Sequence, residues 1–218
     1  VEKEDLKKEN IEALKKGLVN LERHINNIKK FGINPVVAIN HFVLDTKAEI
    51  KIISDFCKKL NVEVSECTHW ANGGKGTKDL AKKVVEICKK SKKNNFKFLY
   101  NEKETLWNKI ETIAKEIYKA SKITADEKVK EELIKFQKNG YGKLPVCIAK
   151  TQYSFSIDPK LKGAPSGHEI PIREVRLSSG AEFIVVICGS IMTMPGLPRV
   201  PAADSIKMNN KGEIDGLF

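Results

Sequence analysis

Arginine is scarce in this chain of 218 residues, which contains 39 basic residues in all. Only four of these are arginines, at positions 23, 173, 176 and 199. Proteins that read nucleic acids use arginine for paired contacts to bases and phosphates, so this composition argues against a nucleic-acid-binding domain. The net charge of +11 is typical of a solvated, lysine-rich surface, although a positive field would also attract polyanions such as ATP.

The sequence also lacks long apolar runs and paired cysteines. No stretch reaches the roughly 18 apolar residues that a membrane span requires, so no membrane contact is expected. Five cysteines, at positions 57, 67, 88, 147 and 188, are scattered along the chain. This pattern excludes a disulfide scaffold and favours a reducing cytoplasm. The four histidines show no metal-ligand spacing, so we expect no metal site.

The beginning of the chain carries no initiator methionine and no apolar signal-peptide core. We therefore expect processing or truncation upstream of Val1. Leucine and isoleucine then recur at helical spacing from Leu14 to Ile28, which predicts an amphipathic helix. Gly32 is a plausible stop for that helix, and the apolar run at residues 36–40 predicts a buried strand.

The next segments repeat the order of strand and helix. Thr46 and Glu49 form a capping-box pattern before a helix, and residues 62–67 predict a second strand. Another helix follows the loop at residues 68–76. Alternation of this kind predicts parallel strands joined by right-handed crossovers.

Beyond residue 150 the charge falls and strands replace helices. The pattern predicts strands at 144–149, 170–177 and 182–188, and a late hairpin that turns at residues 209–212. We therefore expect an α/β fold with a mostly parallel sheet and flanking helices, followed by a smaller strand-rich α+β portion. The expected units are the helical end of a preceding domain (1–23), an α/β domain (24–169) and a small strand-rich carboxyl-terminal domain (170–218).

Aromatic and polar residues follow the first two predicted strands. Asn40, His41 and Phe42 lie at the carboxyl end of the first strand, and Trp70 follows the second. Because ligands of open α/β sheets bind outside those strand ends, the two rings could sandwich a planar heterocycle. Position alone leaves a second interpretation equally open, in which Phe42 plugs the sheet edge and Trp70 covers the helix beneath it.

Two loops offer further candidates. Residues 70–77 (WANGGKGT) are rich in glycine and precede a helix, but the G-x-x-x-x-G-K-[ST] spacing of a P-loop does not occur in the chain. A turn that serves geometry is the more common use of such glycines, and phosphate binding is the alternative. Residues 191–203 contain three prolines, which fix a rigid loop suited to a pocket wall or to a plain connection.

Several long strings together carry a family resemblance. They are NLERHI (20–25), PVVAINHF (35–42), WANGGKG (70–76), LPVCIAKTQYSFS (144–156), REVR (173–176) and MTMPGLP (192–198). The chain resembles the carboxyl-terminal part of formate–tetrahydrofolate ligases. The resemblance runs through nearly the whole chain, and its strings are unusual in composition.

This resemblance implies an ATP-dependent ligase that joins formate to tetrahydrofolate through formyl phosphate, giving 10-formyltetrahydrofolate, ADP and phosphate. It implies Mg-ATP, a monovalent cation, a cytoplasmic location and a homo-oligomer. It also implies that residues 1–23 end a nucleotide-binding domain and that residues 24–169 form the folate-binding domain. By the same resemblance, Phe42, Trp70 and Asn40 bind the pterin, and Gly196, Leu197 and Pro198 lie near the nucleotide. No catalytic residue is assigned.

The resemblance also sets a limit. The family's P-loop and its formyl-phosphate-handling residues belong to an amino-terminal half that is not part of this sequence, so the chain alone is expected to be inactive. Two alternatives stay open: a stand-alone folate- or nucleotide-binding module without catalysis, and a basic nucleic-acid-binding domain.

Overall fold

A computed structural model describes residues 3–90, 95–151, 155–191 and 198–216. The first long helix, α1, spans Ile11–Lys30. Its start is capped by the Asn10 side chain, which accepts a hydrogen bond from the Ala13 amide. It ends before Gly32, which has a φ of +73°. The predicted helix and its glycine stop are therefore confirmed.

A pair of parallel strands follows α1. Strand β1 spans Val36–Asn40, helix α2 spans Lys47–Lys59, and strand β2 spans Glu63–Cys67. The strands pair in parallel, from Val36 opposite Glu63 to Asn40 opposite Cys67. Helix α2 begins with the predicted capping box, in which Thr46 and Glu49 satisfy each other's backbone amides.

The connection after β2 contains more helix than the sequence predicted. Residues 69–72 form a single turn of helix, α3 (His69–Asn72), and Gly73–Thr77 forms a 3-10 turn. Helix α4 then spans Lys78–Lys90. The glycine-rich loop is thus a compact turn-and-helix unit.

The second sheet is mixed and has four strands. Its elements are α5 (Leu106–Glu116), β3 (Lys122–Ala125), α6 (Glu127–Lys138), β4 (Val146–Ala149), β5 (Glu169–Ser178) and β6 (Phe183–Cys188). The strand order is β3-β5-β6-β4, with β5 and β6 antiparallel and both edge strands parallel to their neighbours. The main buried cluster lies between this sheet and the two helices α5 and α6. Strand β3 was not predicted, because four residues carry too little pattern to be recognised.

The chain closes with the predicted hairpin. Strands β7 (Lys207–Met208) and β8 (Ile214–Asp215) pair in antiparallel fashion, and the Gly212 amide donates to the Asn209 carbonyl in the turn between them. The expected fold class, α/β with parallel strand pairs followed by a strand-rich portion, is confirmed. The two domain boundaries stay predictions, although β5 and β6 share one sheet with β3 and β4 across residue 170.

Helix α1 links the two sheets through polar side chains. Lys29 donates to the Leu60 carbonyl oxygen at 2.8 Å, on the side of the β1–β2 pair. On the other side, Asn27 donates to the Ile117 carbonyl at 3.0 Å, and Arg23 donates to the Ala164 carbonyl at 3.1 Å. None of the helices within the described ranges combines the length and the apolar character of a membrane span.

A lysine is buried at the carboxyl end of β4. The Lys150 ammonium donates to the Ser156 carbonyl at 3.0 Å and lies 5.3 Å from the centre of the Tyr118 ring. Burial lowers the pKa of Lys150 to about 8. Burial also raises the pKa of the neighbouring Cys188 thiol to about 12. In the folded state Lys150 therefore loses its proton at a lower pH than an ordinary lysine does.

The stop of α1 depends on Gly32. A Cβ at this position would overlap the Asn95 carbonyl oxygen, and the positive φ disfavours any L side chain. We expect Gly32→Ala to lower the free energy of unfolding by at least about 1–2 kcal/mol. The matched control is Gly17→Ala inside α1, where a Cβ meets nothing within 4 Å. This change should raise stability by about 0.5–1 kcal/mol. Urea unfolding of both variants measures the contrast, and equal effects would contradict it.

Lys150 should make stability depend on pH. Between its folded pKa of about 8 and the ordinary value of 10.5, the unfolded chain holds the proton that the folded chain has released. The contribution of Lys150 to the free energy of unfolding therefore rises with pH in this window, by at most about 1.4 kcal/mol per pH unit. Lys150→Met removes this contribution. Chemical unfolding at several pH values should show the native chain gaining stability relative to the variant above about pH 8, and parallel profiles would refute the assignment.

Candidate functional site

The two candidate aromatic residues lie side by side at the carboxyl end of the β1–β2 pair. Pairing continues one residue past β1, because the His41 amide donates to the Cys67 carbonyl at 3.0 Å. Phe42 follows at once, and Trp70 lies on the one-turn helix after β2. Their ring centroids are 6.3 Å apart, and the ring planes meet at 49°. Both side chains are open to solvent, Phe42 at 48% and Trp70 at 69% exposure.

A tight turn fixes the backbone of Phe42. Its amide donates to a carboxylate oxygen of Asp45 at 2.8 Å, and the Asp45 amide donates back to the Phe42 carbonyl at 3.0 Å. Helix α2 begins immediately afterwards at its capping box. Hydrogen bonds from the Thr46 and Asn10 backbone amides hold the pKa of Glu49 below its ordinary value. The turn is therefore anchored on both sides, while the phenyl ring projects into solvent.

The one-turn helix that carries Trp70 is held from both ends. The Thr68 amide donates to the Gly76 carbonyl at 3.1 Å, which closes the loop. The Thr68 carbonyl accepts from the Asn72 amide at 2.9 Å, and the Thr68 hydroxyl accepts from the Asn72 side chain at 3.0 Å. Gly76 passes so close to residues 68 and 69 that a Cβ would lie 2.5 Å from the Thr68 carbonyl carbon. Close backbone approach therefore requires glycine at this position.

The helix behind this loop is tied to β2. The Asp79 carboxylate accepts a hydrogen bond from Lys83 at 2.6 Å and another from the Ser65 hydroxyl at 2.7 Å. These two bonds, that from Lys83 first, hold the pKa of Asp79 below its ordinary value. Ser65 is buried in the sheet. The acidic group at the start of α4 is therefore held by bonds within the fold.

A polar pair beside the aromatic residues was not predicted. Nδ1 of His41 lies 2.6 Å from a carboxylate oxygen of Glu66, between the ends of the two strands. Register explains the contact, since Ile39 pairs with Glu66 and His41 lies two residues further along. The two predicted parallel strands could have indicated this pair, because the residue that follows one strand lies close to the last residues of the neighbouring strand.

The remaining predicted residues are placed as follows. Asn40 is the last residue of β1 and is exposed on the same sheet edge as Phe42. Pro198 is exposed and belongs to no helix or strand. Gly196 and Leu197 lie outside the described residues. The binding roles of all these residues, including Phe42 and Trp70, stay predictions.

Among the residues that the structure describes, no group of three or more His, Cys, Asp or Glu side chains could hold a metal ion. Chemically, the site offers two aromatic faces and a few hydrogen-bonding groups. Such a combination suits a flat heterocycle, whose faces the rings cover and whose polar edge the neighbouring groups can bind.

Comparison with known proteins places this chain in a family. A family model described as formate–tetrahydrofolate ligase matches residues 1–218. A ligase of this name from Pelagibacter ubique (strain HTCC1062) is 64% identical over all of this chain, which covers 39% of that relative. Those from Sinorhizobium fredii and Granulibacter bethesdensis are each 55% identical over the whole chain, which covers 39% and 38% of them.

The chain therefore spans about two-fifths of the length of the curated relatives that it matches. The match leaves out none of its 218 residues, so the aromatic pair and both sheets lie inside the matched region. The chain belongs to the formate–tetrahydrofolate ligase family.

Proposed function

We propose that this chain is the folate-binding part of an ATP-dependent ligase that joins formate to tetrahydrofolate. The observation that carries the proposal is the exposed pair of rings, 6.3 Å apart, at the ligand-binding edge of a sheet in a chain of this family. A tetrahydrofolate substrate contains a flat pterin, and two aromatic faces are the expected receptor for it. Phe42 and Trp70 form what we call the pterin clamp.

The clamp must open slightly to bind. A planar ring between two others needs about 3.5 Å on each side, hence about 7 Å between parallel rings. The present separation of 6.3 Å is slightly smaller than this, and the ring planes are tilted by 49°. Both side chains are free to rotate because neither contributes to the buried core. Substrate would separate the rings by less than 1 Å and turn them towards parallel.

The polar edge of the pterin needs hydrogen-bonding groups next to the clamp. Asn40 offers two amide donors and one acceptor on the same edge of the sheet. His41 and Glu66 hold each other at 2.6 Å and add a donor and an acceptor at the ends of the strands. We assign substrate binding to Asn40, Phe42 and Trp70, as the resemblance implies.

The chemistry proceeds in two steps in this proposal. An oxygen of formate attacks the γ-phosphorus of ATP, and ADP leaves with the electrons of the broken phosphorus–oxygen bond. The amine of tetrahydrofolate then attacks the formyl carbon, phosphate leaves, and the amine loses its proton to give 10-formyltetrahydrofolate. This chain supplies binding and orientation of the amine-bearing substrate, which brings the reacting groups together without performing the phosphoryl transfer.

The residues near the nucleotide follow from the resemblance alone. By resemblance, residues 195–198, which include Gly196, Leu197 and Pro198, line the region near ATP. Within the described ranges no group of three or more His, Cys, Asp or Glu side chains could hold a metal ion. The resemblance implies Mg²⁺ and a monovalent cation, but we assign them to no residue of this chain and route no step through them. Homo-oligomer formation and a cytoplasmic location also belong to the proposal.

Removing the indole should weaken folate binding selectively. The experiment uses this chain joined to the remaining part of the Pelagibacter ubique relative, so that the complete ligase is tested. Trp70→Ala removes a stacking face and buried area together worth roughly 1.5–3 kcal/mol, so the Kd for tetrahydrofolate should rise roughly 10- to 100-fold. Titration calorimetry should show less than about a twofold change for ATP.

Val43→Ala is the matched control, because Val43 adjoins Phe42 and is 80% exposed without belonging to the clamp. It should leave both affinities unchanged. Equal loss of tetrahydrofolate and ATP binding in Trp70→Ala, or loss of neither, would contradict the clamp.

The isolated chain should bind tetrahydrofolate without catalysing ATP cleavage. It contains no P-loop spacing, so the phosphate groups of ATP lack their usual cradle. We expect no formate-dependent release of phosphate from ATP by the isolated chain. In a Trp107→Phe background, where Trp70 is the single remaining tryptophan, its fluorescence should still be quenched by tetrahydrofolate. Formate-dependent ATP cleavage would overturn this division of labour.

A further inference from the structure

The outer edge of β1 is open. Amides and carbonyls of successive strand residues point to opposite edges. The His41 amide binds the Cys67 carbonyl of β2, so the amides of Ala38 and Asn40 point away from β2. Across the described ranges, β1 pairs with β2 alone. Two backbone donors with their neighbouring acceptors therefore lie along an unpaired strand.

An apolar groove runs beside this edge. It is lined on the strand side by Val36 and Ala38, on the α4 side by Leu80, Val84 and Ile87, and at its end by Phe96. Ala38 is exposed although it lies in the middle of a continuous apolar strand. Parallel strands are normally buried on both faces, and a sheet of two strands is rarely stable alone. The edge and groove together form what we call the β1 edge groove.

Chain direction identifies what would fill the β1 edge groove. Helices α1 and α2 pack against each other and form one layer. The connection from β1 through α2 places β2 on one side of β1. A right-handed connection through α1, in the same helix layer, must likewise place β1 on that same side of the strand that precedes α1. A strand that precedes α1 would therefore lie beside β1, on the side opposite β2.

We propose that the β1 edge groove holds a parallel β-strand from the part of the longer polypeptide that precedes α1. The curated relatives provide that length, because this chain covers only 39% of the Pelagibacter ubique ligase. The strand would pair with the backbone of Ala38 and Asn40. Its side chains on the Ala38 face would fill the groove against Val84. This interface makes β1 a central strand and does not include the rings of the pterin clamp.

Hydrogen exchange tests the pairing directly. Residue-resolved exchange is measured on this chain alone and on the same chain joined to the remaining part of the Pelagibacter ubique relative. In the chain alone, the amides of Ala38 and Asn40 should exchange fast, whereas that of Ile39, which faces β2, is protected. In the joined polypeptide the first two should slow by roughly 100-fold or more.

Two other outcomes overturn the proposal. Unchanged fast exchange at Ala38 and Asn40 in the joined polypeptide would show that no strand pairs there. Protection that already exists in the chain alone and grows with its concentration would assign the edge to a second copy of the chain. Neither outcome depends on substrate, so failure here is distinguishable from failure of the pterin clamp.

A matched pair of variants tests the groove. Val84 lines it and is 43% exposed, whereas Val85 lies outside the lining and is 50% exposed. Both belong to the same turn of α4. In the joined polypeptide, Val84→Asp should restore fast exchange at Ala38 at least roughly tenfold, and Val85→Asp should not. Ile39 serves as the internal reference, since its protection shows that β1 and β2 remain paired. Equal effects of the two variants would count against the groove.

Discussion

The parallel pairing of β1 with β2 is the interaction on which the site depends. Because parallel strands end at the same edge, a single register brings together residues that the sequence keeps far apart. Asn40 lies opposite Cys67. Both strands end there, and the residues that follow them bring Phe42 and Trp70 side by side. A slip of one residue would turn each side chain to the other face of the sheet. It would also separate His41 from Glu66. The register of the two strands, more than any local motif, therefore brings the residues of the site together.

The sequence predicted this edge well because its signals were local. The capping box at Thr46, the glycine stop at Gly32 and the apolar run of β1 each specify one element within a few residues. Their order then implied a shared ligand-binding edge. Strand β3 escaped prediction because its identity comes from pairing with β5, a contact between distant residues. The His41–Glu66 pair and the one-turn helix at Trp70 also depend on tertiary register. The angle between the two rings is a matter of side-chain rotation that no sequence pattern encodes.

In the proposed pterin clamp the backbone positions are fixed, whereas the two rings are exposed. Asp45 fixes the turn at Phe42, and the backbone of Thr68 fixes the helix that carries Trp70. Anchors of this kind lower the entropy lost on binding, because the positions from which the rings extend are already set. The rings themselves contribute little to the core, so rotation towards a substrate costs only a change of rotamer. A flat ring bound between Phe42 and Trp70 would bury part of their exposed surface.

The open edge of β1 connects this clamp to the rest of the polypeptide. Asn40 would pair with the proposed upstream strand through its backbone, and it is two residues from Phe42. Pairing on both sides of β1 would restrict the strand end from which Phe42 projects, since each added hydrogen bond opposes local opening. A clamp supported on one side only should sample more orientations than one in a completed sheet. The same strand that completes the sheet would therefore increase the affinity of the clamp for a flat ring without contacting it. Sheet completion and substrate binding thus favour each other, and the isolated chain should bind folate more weakly than the joined polypeptide even though every clamp residue is present.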